Sequence, residues 1–210
     1  MVAERVECPR CTRRVEDRQG EFLCSNHGPV PPLRRPHAVG YDAFADVVRQ
    51  TGTKPLYLPW PMSPGWTIAD FGRVGDGADA DATFTTTVGT SDLDGPVEVT
   101  IVSEDPAVGL GARAAGVHRV DPGHRAGRGP LAIHVRAGGR SVPLWMVDSD
   151  EGELLEKAVF AGEADGRWLW LVVRPASAAL LLREDWLLAD VTGFGPEALE
   201  MPFSGPRPTW

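Results

Sequence analysis

Residues 158–175 read AVFAGEADGRWLWLVVRP. Asp165-Gly166 separates two strand-forming runs, and an Asp-Gly pair in that setting is the two-residue turn of a β-hairpin, because both turn positions need positive φ. The turn fixes the register, with Glu163 opposite Trp168 and Ala161 opposite Trp170. The return run has no polar face: Trp168, Trp170 and Val172 alternate with Leu169, Leu171 and Val173. A strand apolar on both sides belongs at the centre of a sheet, covered above and below.

Other stretches carry a period of two. TFTTTV (83–88) alternates Phe84, Thr86 and Val88 with threonines, VEVTIV (97–102) alternates Val97, Val99 and Ile101 with Glu98 and Thr100, and LAIHVRA (131–137) alternates Leu131, Ile133 and Val135 with His134 and Arg136. This pattern predicts antiparallel strands with one buried and one wetter face. YDAFADVVRQTG (41–52) predicts a short helix with Tyr41, Phe44, Val47 and Val48 on one face and Gly52 as its stop. LYLPWPMSPGW (56–66) excludes a helix or a central strand by its prolines and reads as an extended segment laid over an apolar surface. LLLREDWLLADV (180–191) fits either a strand with a helical turn or two strands. The expected fold is α+β, an antiparallel sheet with one or two packed helices, spanning residues 39–194. Residues 195–210 are expected as an extended Gly/Pro-rich tail.

All three cysteines lie near the N-terminus, in Cys8-x2-Cys11, then twelve residues, then Cys24-x2-His27. Two residues between ligands let a tight turn present both side chains to one ion, and three thiolates with one imidazole suit tetrahedral Zn2+. Four protein ligands leave no place for water, so the expected metal is structural. Residues 1–28 thus read as a zinc-ribbon-like module, with "RRV" going out and "EFLC" returning in a hairpin. His37 is the one nearby substitute for His27. PVPPLRRP (29–36) supplies four prolines to an expected linker, 29–38.

Composition narrows the function classes. Residues 1–37 hold seven arginines against five acids, whereas the remainder holds 14 basic and 24 acidic residues. An acidic main body repels phosphate backbones, so nucleic acid is a candidate partner only for the N-terminal module, through Arg10, Arg13, Arg14 and Arg18. No apolar run reaches the roughly 20 residues of a membrane span, and the start lacks a signal-peptide core, so the cytoplasm is expected.

Catalytic patterns are faint. Gly109-x-Gly111-x-x-Ala114 nominally fits a dinucleotide fingerprint but follows its strand too late, and Asp105 before Pro106 reads better as a helix N-cap. The loop at 116–129 gathers His118, Arg119, Asp121, His124, Arg125 and Arg128, and a charged turn holds Asp148, Asp150, Glu151 and Glu153. Both read as ordinary solvated segments. Glu163, facing tryptophans, is either a buried acid of raised pKa or a hairpin-mouth carboxylate in water.

CPRC…CSNHG, LYLPWPMSPGW, VSEDPAVGLGARAAG and PLWMVD…AVFAGEADGRWLWLVVRP together resemble an uncharacterised actinobacterial family with an N-terminal cysteine-rich knuckle. The resemblance implies a cytoplasmic protein. Some members carry a phosphotransacetylase label, which this chain does not support, being too short for both lobes of such an enzyme. Two functional readings follow. One is a non-catalytic adaptor or regulatory protein, its zinc module and aromatic-rich sheet binding a protein partner. The alternative is an enzyme or small-ligand binder with a pocket between segment 104–115 and the Trp168/Trp170 strand, holding Glu104, Arg113, Glu163 and Trp168.

Overall fold

The computed structural model describes residues 3–123, 127, 132–147, 156–183, 186–194 and 200–210. β1 (Glu4–Glu7) leads into β2 (Glu16–Arg18), β3 (Glu21–Cys24) and β4 (Gly28–Pro29), followed by β5 (Leu33–Pro36) and α1 (Tyr41–Arg49). β6 (Tyr57–Pro59), β7 (Thr67–Val74), β8 (Ala82–Ser91) and β9 (Gly95–Glu104) precede α2 (Leu110–Ala115). β10 (Ile133–Ala137), β11 (Arg140–Met146), β12 (Ala158–Ala164) and β13 (Arg167–Arg174) come next, then a 3-10 helix (Ala176–Arg183), β14 (Leu187–Asp190) and a 3-10 turn (Val191–Gly193). Segment 180–191 therefore ends one helical element and supplies one strand.

Eleven strands form one sheet in the order β1-β5-β7-β8-β9-β13-β12-β11-β10-β14-β6. Among the described residues every pairing of these strands is antiparallel except β10 with β14. This is compatible with α+β, although the sheet is larger than the patterning implied. The Asp165-Gly166 hairpin has the expected register, with Glu163 opposite Trp168 and Ala161 opposite Trp170. Its turn residues sit at φ 53° and 78°. β13 occupies the middle of the sheet, and Leu169 to Val173 are wholly buried. Trp170 and Val172 pack with Phe84 and Val102 beneath α2, while Leu169, Leu171 and Val173 join Val99, Ile101 and Phe160 on the opposite face. Each large aliphatic buried this way contributes about 1.5–3 kcal/mol.

The threonine face of β8 is not wet. Thr83, Thr85 and Thr87 are buried because β6, at the far end of the sheet order, lies against β8. The hydroxyls are satisfied there: Thr83 Oγ1 donates to the Pro55 carbonyl at 2.5 Å and Thr85 Oγ1 to that of Tyr57 at 2.6 Å. On the other face Thr86 and Thr100 bond each other at 2.8 Å. β10 keeps the expected alternation, with Val135 and Ala137 buried and His134 and Arg136 exposed, while Leu131 lies outside the described residues.

Helix α1 buries Ala43, Phe44 and Val47, but Tyr41 points out at 40% exposure, one turn off the packed stripe. Trp66 enters the core, and Tyr57–Pro59 becomes an edge strand, where proline's missing N–H is harmless. Residues 29–38 are extended yet are more than a spacer, since β5 pairs with both β1 and β7 and Leu33 is fully buried. The cysteine-bearing segment is thus an excursion between two paired strands of the main sheet. The C-terminal residues lie along that sheet: Ile68 N–H donates to the Pro202 carbonyl at 2.8 Å, and the Trp210 ring meets Phe84 edge-on at 5.1 Å.

Candidate metal centre

β1 delivers Cys8 to a turn that also carries Cys11, while β3 ends on Cys24 and its turn to β4 carries His27. The outgoing hairpin strand is Glu16–Arg18 rather than the "RRV" run, whose Arg14 makes a single bridge to Glu7. Glu21–Cys24 returns as expected. The turn between them is Gln19-Gly20, at φ 60° and 89°. Gly20 takes that conformation without strain.

The four ligating atoms of Cys8, Cys11, Cys24 and His27 lie within 4.8 Å of one another. Cys11 Sγ and Cys24 Sγ are 3.7 Å apart, and His27 Nδ1 is 3.4 Å from Cys8 Sγ and 3.6 Å from Cys24 Sγ. Metal–sulfur bonds of about 2.3 Å and metal–nitrogen bonds of about 2.0–2.1 Å at tetrahedral angles require separations of about 3.8 Å for S···S and about 3.6 Å for S···N. These three separations are those of a tetrahedral site, and all four atoms are close enough to hold one ion. The separations do not match a disulfide, and all three cysteines are free thiols. Among the described residues His37 joins no ligand cluster, and it extends the β1–β5 pairing by donating its N–H to the Ala3 carbonyl at 2.8 Å.

Burial pushes the Cys8 thiol up to about 12, against the pull of the Arg10 N–H. Burial also raises Cys24, but the N–H of Asn26 and hydrogen bonds from His27 outweigh it and hold that thiol down at about 6.

Two arginines anchor the knuckle to the sheet domain. Arg113 Nη1 donates to the Cys8 carbonyl at 2.5 Å and Nη2 pairs with Glu7 at 2.6 Å. Arg10 reaches the other way, its Nε donating to the Val108 carbonyl at 3.1 Å and Nη2 to that of Ala107 at 2.7 Å. Arg10 is therefore turned inward, and Arg18 pairs with Glu16 at 2.9 Å, while Arg13 and Arg14 are exposed. The four arginines do not form one outward face.

The pocket residues of the alternative reading are not gathered either. Glu104 is fully buried and its Oε2 accepts the Leu110 N–H at 2.7 Å. Burial pushes this carboxyl up to about 7, against the N–H groups of Gly111 and Leu110. Trp168 neighbours Glu104 across the β9–β13 ladder. Glu163 is exposed at the hairpin mouth and accepts the Gly166 N–H at 2.7 Å. Arg113 lies on the knuckle side of α2. It lines a cleft that the other three do not reach.

The same contacts answer the fingerprint. Helix α2 starts at Leu110 after Gly109 at φ 88°, so Pro106 lies outside it and Asp105 is no cap. Asp105 pairs instead with Arg167 at 2.6 Å and Lys54 at 3.4 Å. The helix N-terminus is already met by Glu104, and a Cβ at Gly111 would lie 2.2 Å from the Trp170 ring. These glycines serve packing. Asp121 accepts the Ala107 N–H at 2.9 Å. His124, Arg125, Arg128, Asp148, Asp150, Glu151 and Glu153 lie outside the described residues.

Sequence reasoning missed a buried ionic set beside the centre. Asp70, wholly buried on β7, pairs with Arg35 and lies 3.9 Å from Arg207 Nε. Arg35 and Arg113 approach the Trp210 ring at 4.8 and 5.5 Å. An acid within the apolar run TIADFGRV was the available signal.

A family model described as "Family of unknown function (DUF6758)" matches residues 1–209. The chain belongs to this family. No curated protein and no solved structure matches this DUF6758 chain. Among the described residues no helix is long and apolar enough to cross a membrane.

Proposed function

We propose that the chain is a non-catalytic cytoplasmic adaptor or regulatory protein whose Cys8, Cys11, Cys24 and His27 hold a structural Zn2+, and that it binds a protein partner through the knuckle and the adjoining sheet. The convergence of four protein ligands within 4.8 Å, three of their separations close to tetrahedral values, supports this reading. A four-ligand site keeps no open position for water or substrate, so the ion organises the chain. It fastens β1 to the β3–β4 turn, and Arg10 and Arg113 extend that order to α2. Glu104, whose carboxyl burial pushes up to about 7, is engaged with the α2 backbone, consistent with a structural carboxyl. Nucleic acid stays a secondary partner class, confined to exposed Arg13 and Arg14.

Metal analysis of the purified chain together with affinity capture tests the reading. Bound zinc at one ion per chain is expected. Cys24→Ser should lose the ion and the captured partner together, while circular dichroism retains the main sheet. Absence of zinc, or an identical set of captured proteins with Cys24→Ser, refutes it.

A further inference from the structure

We infer that Cys11 and Cys24 are a reversible modification site, closing to a disulfide when a hydroperoxide reaches the knuckle and so releasing its ion. Their sulfurs lie 3.7 Å apart, too close for any group to stand between them. They arrive from different elements, Cys11 on the turn after β1 and Cys24 at the end of β3, 13 positions further on. The fold has therefore brought two thiols into contact around the β2–β3 hairpin.

Exposure separates the three cysteines. Cys8 is wholly buried and Cys24 is 3% exposed, whereas Cys11 is partly exposed. Cys11 also lines a cleft of about 420 Å³ between the knuckle, α2 and Trp210, far larger than a peroxide molecule. A small oxidant meets Cys11 first. Cys24 is the thiol already in contact with it. Cys8 lies beneath, its sulfur accepting the Arg10 N–H at 3.4 Å and facing His27 Nδ1 at 3.4 Å.

The Cys11 thiolate attacks one oxygen of hydrogen peroxide: an S–O bond forms, the O–O bond breaks and hydroxide leaves, giving a sulfenic acid. The Cys24 thiolate then attacks that sulfur: an S–S bond forms, the S–O bond breaks and a second hydroxide leaves. Two thiolates have lost two electrons, peroxide has gained them, and protons from solvent turn both hydroxides into water. A disulfide sulfur is no longer a thiolate ligand, so Cys8 and His27 alone remain, half of a closed site. The crosslink keeps the turn after β1 beside β3, so the two sulfurs stay adjacent for a reductant to separate. Release of the ion rests on the metal site proposed above, whereas the crosslink rests on the thiol positions alone.

Hydrogen peroxide added to the zinc-loaded full chain, with a chelating dye in solution, tests this site. One ion should be released per disulfide formed. Peptide mapping after acid quenching, denaturation and iodoacetamide should find Cys11 joined to Cys24 and Cys8 alkylated, and dithiothreitol with added zinc should restore one ion per chain. Cys24→Ser should stop at the sulfenic acid, trapped by dimedone on Cys11, whereas Cys8→Ser should still form the crosslink, whether or not either variant holds zinc. A disulfide that includes Cys8, sulfinic acid without a disulfide, or three unoxidised thiols with the ion retained overturns the inference. A chain that is purified without zinc yet forms the Cys11–Cys24 crosslink refutes the metal reading and leaves the thiol pair standing.

Discussion

Glu104 makes the stability of this protein depend on pH in a direction opposite to that of ordinary carboxylates. Burial raises its carboxyl from 4.5 to about 7 in the folded chain. Between those values the native state holds a proton that the unfolded state has released, so stability falls as pH rises. The group's full contribution is present below pH 4.5, is lost progressively through the window from 4.5 to about 7, and is constant above it. A displacement of roughly two and a half pH units at 1.36 kcal/mol each corresponds to about 3 kcal/mol, or a drop of roughly 6–12 °C in melting temperature for a chain of this size.

Glu104→Gln isolates this term. The amide oxygen can still accept the Leu110 N–H, so any penalty for the substitution is the same at every pH. Asp70, Asp81 and Glu98 are raised by burial too, and metal ligation has its own pH dependence, but both chains share these effects. Urea unfolding of wild type and variant from pH 5 to 8 measures the difference. Glu104→Gln should gain relative to wild type by about 2.5 kcal/mol across that range, and the 13C carboxyl resonance of Glu104 should titrate near neutrality. A wild-type-minus-variant difference that stays flat from pH 5 to 8 refutes the reasoning.

Two substitutions probe the packing that surrounds the centre. Gly111→Ala places a methyl within 2.2–2.4 Å of the rigid, fully buried Trp170 ring, and should cost about 1–3 kcal/mol by overpacking, read as a lower urea midpoint with an unchanged slope. Arg113→Met leaves Glu7 only Arg35, at 3.8 Å, and frees the Cys8 carbonyl; a loss of about 1–3 kcal/mol is expected, together with faster zinc release to a chelator, and unchanged release would show that the arginine does not brace the metal site.

Local chemistry was legible wherever a residue's neighbours in space are also its neighbours in sequence. Asp165-Gly166 determines its own turn, and the turn sets the β12–β13 register without help from the rest of the chain. The Cys-x2-Cys and Cys-x2-His pairs are likewise self-contained, and they meet within 4.8 Å as their spacing implied. Where a distant segment decides, the pattern misled. The β8 threonines look like a solvent face, yet carbonyls at 55 and 57 cover them and accept their hydroxyls. PVPPLRRP looks like a spacer, yet Leu33–Pro36 finds partners on both sides. Asp105-Pro106 looks like a helix start, yet Arg167 and Lys54 draw the aspartate away while a glutamate from the preceding strand serves the helix. These failures share a cause: where each group ends up is set by which partner reaches it, information that lies elsewhere in the chain. The same rule explains why the knuckle is no loose appendage. Its main-chain carbonyl at Cys8 and its Arg10 side chain both find partners around α2, roughly a hundred residues away, so order at the metal and order at the cleft beside Trp210 are built from one set of hydrogen bonds.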